Sequence, residues 1–372
     1  MAAAGFSRIL IGVVLSASTA FAQPRECRTE APPSLSVKLA DALPSSAQPY
    51  AGAFANYVQR VQTGGTVLPF DDGGLGARWA QYDQAMVALL IGVSANIEVL
   101  VDSASQTIGQ SRRLYMTVWC VDPARRTRLG SYWLRAIGDS AQVRFRTALV
   151  DVALARPPLR IGAARVYAPV GLVLDSARIA RSLGFMNAIA TQLERPAPRN
   201  VDIIVAPGND TTLSIVGIFD WSMPIAEYTS MVGPLNVVVD RDAGDVSLHE
   251  LVHVATLGMP LHPLLTEGLA VYIAGARFTT LDALVCRNRP GLRSWRGANL
   301  RSLLTTGRDT TGAPADDGIE AVLGGLLAQV MIKGGRPIGM LRLTALMLNT
   351  IDGAEILKEW EAAIDRAVLA CA

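Results

Sequence analysis

Two hydrophobic periods alternate along this chain. Between residues 97 and 147 apolar positions recur at every second residue or in short runs, over Ile97 to Val101, Leu114 to Val121, Ser131 to Ile137 and Gln142 to Thr147. That period predicts strands, and Gly138-Asp139-Ser140 between the last two is a hairpin turn signal. Ahead of them, Tyr50 to Val61 and Leu75 to Ile91 read as helices. The first half is therefore expected to be a helix layer on an antiparallel sheet. Trp119 and Trp133 either line a pocket there or belong to the core, and core is the commoner use of such aromatics.

Pro157-Pro158 punctuates the pattern and marks the expected domain boundary. A strand over Ala164 to Ala168 follows, then Asp175 or Ser176 as a helix cap. Ile179, Leu183, Met186, Ala190 and Leu193 form an unbroken helical stripe that Arg195-Pro196 ends. Val201 to Ala206, Leu213 to Val216 and Leu235 to Val239 read as strands, and Ile319 to Ile332, Ile338 to Leu348 and Ala354 to Leu369 as helices. The fold class is α+β, with an N-terminal domain over residues 23–160 and a second over 161–372.

Composition narrows the function classes. A hydrophobic fraction of 50% with 18% charged residues suits a chain with a sizeable core, and its length suits about two domains. A net charge of +2 gives no electrostatic case for nucleic acid. No run after the first 22 residues reaches the ~18 uncharged residues of a membrane helix, so no stable membrane insertion is expected. Residues 1–22 have Arg8, an apolar run from Ile9 to Leu15, and Ala20-Phe21-Ala22, the layout of a cleaved secretory signal peptide. The chain is thus expected to be exported, periplasmic or secreted, where disulfides persist. The even cysteine count allows two bridges, and position favours Cys27–Cys120 and Cys286–Cys371.

The chemistry concentrates in Ser247-Leu248-His249-Glu250-Leu251-Val252-His253 and in Thr266-Glu267-Gly268-Leu269-Ala270. His249 and His253 stand at i and i+4, one face of a helix, where two neutral imidazoles hold one Zn²⁺. Leu248, Leu251, Val252 and Ala255 are the stripe that helix would bury. Glu250, beside His249, would act as general base on a water whose pKa the metal has lowered to roughly 7. Gly258 and Pro260 stop the helix, and Pro263 suits the first turn of the next, which carries Glu267. His262 is a rival third ligand, but HExxHxxGxxH would need Gly and His where Thr256 and Met259 stand.

This layout resembles the gluzincin zinc metallopeptidases of the zincin clan. There an HExxH helix precedes a helix with a glutamate ligand in an E-G-L-A-like run, here Glu267-Gly268-Leu269-Ala270. The resemblance implies His249, His253 and Glu267 as zinc ligands, Glu250 as base, a mixed sheet, a helical C-terminal lobe, and a peptide or protein substrate hydrolysed by zinc-bound water. It also implies that a sheet edge near the metal helix, here Leu235, Asn236, Val237, Val238 and Val239, pairs an extended peptide. The family's late Tyr or His, which stabilises the transition state, has no counterpart after Tyr272. Tyr228, His262 and Tyr272 are the candidates, with the basic run Arg287, Arg289, Arg293, Arg296 and Arg301 as a further source. Thermolysin-type members place an Asp four residues after the ligand Glu to support a histidine, and this chain has Val271. These departures leave an alternative, a zincin-fold binding protein with little or no catalysis. A purely structural zinc site is the least favoured reading.

Overall fold

The structure, a computed structural model, describes residues 34–62, 96–105, 111–121, 126–139, 142–146, 148–205, 218–221, 237–240, 247–259, 261–276, 279–306, 317–334 and 351–371. It is an α+β protein of two compact units, one of residues 1–179 and 199–246 and one of residues 180–198 and 247–372. The predicted helices over 75–91 and 338–348, the strand over 213–216 and the signal over 1–22 lie outside the described residues.

Among the described residues the first unit holds two sheets. One contains β1 (Ser34–Leu39), β2 (Asn96–Ala104), β3 (Ser111–Val121), β4 (Arg126–Ile137) and β5 (Arg144–Arg146) in that spatial order, and β9 (Ile218–Trp221) also pairs with β4. Leu114, Met116 and Val118 alternate with more exposed neighbours and are fully buried, the pattern of a sheet with one face on a core. Helix α1 (Gln48–Gln62) supplies Phe54 and Tyr57 to that core, with ring centroids 5.6 and 6.0 Å from Phe145 of β5. Burying each such ring contributes about 2–3 kcal/mol. One expectation needs correcting. The sheet is not wholly antiparallel, because β1 runs parallel to β2. The tight turn after β4 is as read, with Gly138 at φ 104 and a Cβ there only 2.4 Å from the Gln142 carbonyl.

After α2 (Ala148–Ala155), the second sheet has the order β10-β8-β7-β6, from β6 (Leu159–Ile161), β7 (Ala164–Tyr167), β8 (Val201–Val205) and β10 (Val237–Asp240). Helix α3 (Ser176–Gln192) connects β7 to β8, and those strands run parallel, as a crossover helix requires. All five residues of β8 are buried, including Asp202. Arg165 of β7, its register partner, grips that carboxylate with two bonds of 2.7 and 3.1 Å.

The second unit is helical among the described residues: α3 from Ala180 on, α4 (Leu248–Thr256), α5 (Pro263–Ala274), α6 (Leu281–Leu292), α7 (Gly297–Thr306), α8 (Asp317–Lys333) and α9 (Ile351–Ala370). The Cys286–Cys371 disulfide ties α6 to the end of α9, as position suggested. Cys120 is buried in β3 and forms no disulfide among the described residues, and its expected partner Cys27 lies outside them. The Trp360 indole N–H inside this unit donates to the Leu323 carbonyl at 2.9 Å, which locks α9 onto α8.

Candidate metal centre

Helix α4 buries Leu251, Val252, Val254, Ala255 and Thr256. The expected stripe is shifted, since Leu248 stands 38% exposed at the helix start and Val254 takes its place in the core. The adjoining side carries His249 and His253, whose rings meet edge to face with centroids 4.9 Å apart. After Leu257 the chain turns, the Met259 N–H donating to the Thr256 carbonyl at 2.9 Å. The Arg195 guanidinium donates to the Leu257 carbonyl at 2.8 Å, satisfying an end group that a helix C-terminus leaves unpaired. Pro263 opens α5, and Glu267 falls in its second turn.

The turn brings the three predicted ligands together. The Glu267 Oε1 lies 2.9 Å from His249 Nε2, its Oε2 lies 3.2 Å from His253 Nε2, and the two Nε2 atoms are 3.2 Å apart. Two nitrogens that share a tetrahedral zinc with bonds of about 2.0–2.1 Å should stand about 3.3–3.4 Å apart. That is close to the 3.2 Å between the two Nε2 atoms. Glu267 approaches each imidazole with a different carboxylate oxygen. The donor set of two imidazoles and one carboxylate also suits a catalytic zinc. The imidazole side chains keep 13% and 12% exposure, but Glu267 keeps 44%, so solvent reaches the site from the carboxylate side.

The electrostatics have the same origin. Burial alone pushes the His249 imidazole down. The hydrogen bond and charge of Glu267, then the charge of Glu250 and the Gly275 carbonyl, outweigh it and lift the group to about 9. Burial raises the Glu267 carboxyl, but both histidines hold it well below the usual carboxylate range. Because Glu267 is nearly half exposed, solvent screens this attraction and no stability is assigned to it.

The support for His249 is a group that sequence reading missed. Its Nδ1–H donates to the Gly275 carbonyl at 2.7 Å, which directs Nε2 toward the other two ligands. Gly275 ends α5 at φ 75 and ψ −169, a conformation reached almost only by glycine. A Cβ there would lie 2.3 Å from the Thr279 carbonyl. Val271, at the position of the family's supporting Asp, is instead fully buried. A backbone carbonyl thus does the orienting, and only the glycine at a helix end hinted at it.

A second glycine pair sets the depth of Glu267. Gly268 crosses Gly324 of α8 so closely that a Cβ on Gly268 would lie 2.1 Å from the Gly324 carbonyl carbon. One on Gly324 would lie 2.3 Å from the Leu264 carbonyl oxygen. The backbones touch at the residue beside the ligand.

The remaining candidates divide. Glu250 is half-buried on α4, and its charge acts on His249. His262 caps α5, accepting the Leu264 N–H at Nδ1, while Nε2–H donates to the Leu304 carbonyl at 2.8 Å. Both nitrogens are occupied, and burial pushes the imidazole down, so this ring is neutral and structural. Tyr272 follows Glu267 by five residues, about 140° around a helix of 3.6 residues per turn, on another face. Tyr228, Leu235 and Asn236 lie outside the described residues. Val237, Val238 and Val239 are in β10, which pairs only with β8 among the described strands. In the basic run, Arg287, Arg293 and Arg301 are exposed, Arg296 pairs with Asp365, and Arg289 donates to the Cys371 carbonyl at 3.2 Å. No known protein family, curated protein or solved structure matches this chain.

Proposed function

We propose that this chain is a zinc-dependent metallopeptidase of the gluzincin kind, hydrolysing peptide bonds in peptide or protein substrates. One observation carries the reading. Three ligand atoms from two consecutive helices, all within 4.8 Å of one another, converge beside a glutamate at the HExxH position. His249, His253 and Glu267 would hold the ion. When bound, zinc supplies a Lewis acid that polarises the scissile carbonyl and makes water acidic near neutral pH.

The chain's own residues do the rest. Gly275 fixes the His249 ring, and the Gly268–Gly324 crossing fixes Glu267. Glu250 takes a proton from the attacking water onto its carboxylate and returns it to the leaving amine nitrogen. The Cys286–Cys371 bridge supports export to an oxidising compartment. Among the described residues, no helix is long and apolar enough to cross a membrane.

A second reading, a zincin-fold binding protein with little catalysis, draws support from His262, whose ring nitrogens are both committed to the fold. Hydrolysis of a mixed peptide pool by the zinc-loaded mature chain, beside Glu250→Gln, separates the two. Cleavage that Glu250→Gln abolishes supports the peptidase. Bound zinc with no cleavage by either protein supports the scaffold.

A further inference from the structure

The connection between the two ligand helices, residues 257–262, is held from outside at both ends. At the first end, Arg195 Nη2 donates to the Leu257 carbonyl at 2.8 Å. At the other, His262 Nε2–H donates to the Leu304 carbonyl of α7 at 2.8 Å. The partners are 62 and 42 residues apart in sequence, so each bond ties the turn to a distant element. All four residues belong to the second compact unit.

The lever arms show why this matters. His253 stands four residues before Leu257, about 6 Å along a helix that rises 1.5 Å per residue. Glu267 stands five residues beyond His262, about 7.5 Å along α5. Metal sites tolerate distance errors of about 0.2 Å, which at an arm of about 6 Å is a tilt of about 2° between the helices. The bonds inside the connection are short-range, from the Met259 N–H to the Thr256 carbonyl and from the Leu261 N–H to the Met259 carbonyl. They shape the turn but tie it to no third element. Arg195 and His262 supply that tie.

The end of α3 sets Arg195 in place. The Arg195 N–H donates to the Ala190 carbonyl at 2.8 Å and the Glu194 N–H to the Thr191 carbonyl at 2.9 Å, the two bonds of a Schellman motif. Its left-handed position, where glycine is usual, is held by Glu194 at φ 54. Arg195 follows at once and lies along the turn, its Nη2 4.0 Å from the point where a Cβ on Gly258 would stand.

We infer that Arg195 and His262 are positioning residues for the proposed metal centre. As two clamps on one turn, they fix the angle between α4 and α5, and with it the distance from the histidines to Glu267. Zinc then meets ligands already at their working separation, and the site is preorganised by groups that are not ligands. The inference rests on the metallopeptidase reading for the identity of the ion.

The test uses the full mature chain, with every variant shown to be folded by circular dichroism. Competition with a chromophoric chelator gives the zinc Kd, and the d–d absorption of the cobalt(II)-substituted protein reports ligand geometry. Arg195→Gln and His262→Ala are each expected to raise the zinc Kd about tenfold or more and to alter the cobalt band, with one ion still bound per chain at saturation. Arg195→Lys keeps a charged donor for this single bond and should recover most of the lost affinity. Glu194→Gly separates stability from geometry. It relieves the left-handed residue at an exposed side chain, so it should raise the urea midpoint and leave the zinc Kd and cobalt band unchanged. If Arg195→Gln does not fold, Arg195→Lys and His262→Ala decide. A wild-type chain that binds no zinc would overturn the metallopeptidase reading and this inference with it. Zinc bound equally well by wild type, Arg195→Gln and His262→Ala, with one cobalt spectrum for all three, would overturn this inference alone.

Discussion

Gly324→Ala is a sharp test of how the fold places the metal ligands. In an ordinary helix, glycine to alanine stabilises by about 0.5–1 kcal/mol, because the unfolded chain loses freedom. Here the added Cβ would sit 2.3 Å from the Leu264 carbonyl oxygen and 3.0 Å from Gly268 Cα. Both obstacles are backbone, so no rotamer change relieves them. Ordinary contact begins at 3.4 Å, so α5 and α8 must separate by about 1.1 Å, the difference between 3.4 and 2.3 Å. Overpacking of this kind costs about 1–3 kcal/mol, which leaves a net loss of up to roughly 2.5 kcal/mol after the propensity gain. The separation also carries Glu267 away from the histidines. Metal sites tolerate distance errors of about 0.2 Å, so zinc affinity should fall at least about tenfold. Urea unfolding with chelator present reads the first effect, and competition against a chromophoric chelator reads the second. Gly184→Ala, on α3 with nothing within 4 Å of its Cβ, is the control and should stabilise by about 0.5–1 kcal/mol. A Gly324→Ala protein as stable as that control, with unchanged zinc affinity, would refute the close crossing.

Other consequences can be measured separately. Gly275→Ala should displace the carbonyl that holds His249 and weaken zinc binding about 10–100-fold, the usual effect of losing a ligand's support; unchanged affinity would remove Gly275 from the site. His262→Ala should cost about 1 kcal/mol through the lost α5 cap while zinc stoichiometry is unchanged, and loss of zinc instead would reinstate it as a ligand. Asp202 governs a pH dependence in the first unit. Burial, opposed by Arg165 and Tyr167, raises its carboxyl from 3.8 to about 6. Between those values the folded chain keeps a proton that the unfolded chain releases, so this group makes stability fall as pH rises from about 4 to 6, by about 3 kcal/mol, and adds no slope above. Denaturant titrations of wild type against Asp202→Asn should show that difference, and a wild type that gains stability relative to Asp202→Asn over the window contradicts it.

The convergence of His249, His253 and Glu267 was largely legible because their spacing is local. Two histidines four residues apart share a helix face whatever the rest of the chain does. Gly258, at positive φ, and Pro263, at the first position of α5, mark the turn that returns Glu267. The parts that were not legible depend on contacts between distant residues. Nothing near His249 in sequence indicates that the Gly275 carbonyl holds it, and nothing near Gly268 indicates Gly324. His262 looked available because its partner, the Leu304 carbonyl, is 42 residues away. Helices α6 and α7 were hidden by their arginines and by Pro290, although Leu281, Leu284, Val285, Leu292, Leu300, Leu303 and Leu304 form the buried side. Strand β1 was missed because SLSVKL is short and its strand partner begins at Asn96.

The central claim is that His249, His253 and Glu267 bind one zinc ion. Elemental analysis of the purified mature chain, beside His253→Ala and Glu267→Gln dialysed against the same zinc buffer, tests it most directly. The account predicts one zinc per wild-type chain and close to none in either variant, with all three folded. A wild-type chain without zinc, or variants that retain it in full, would contradict the account.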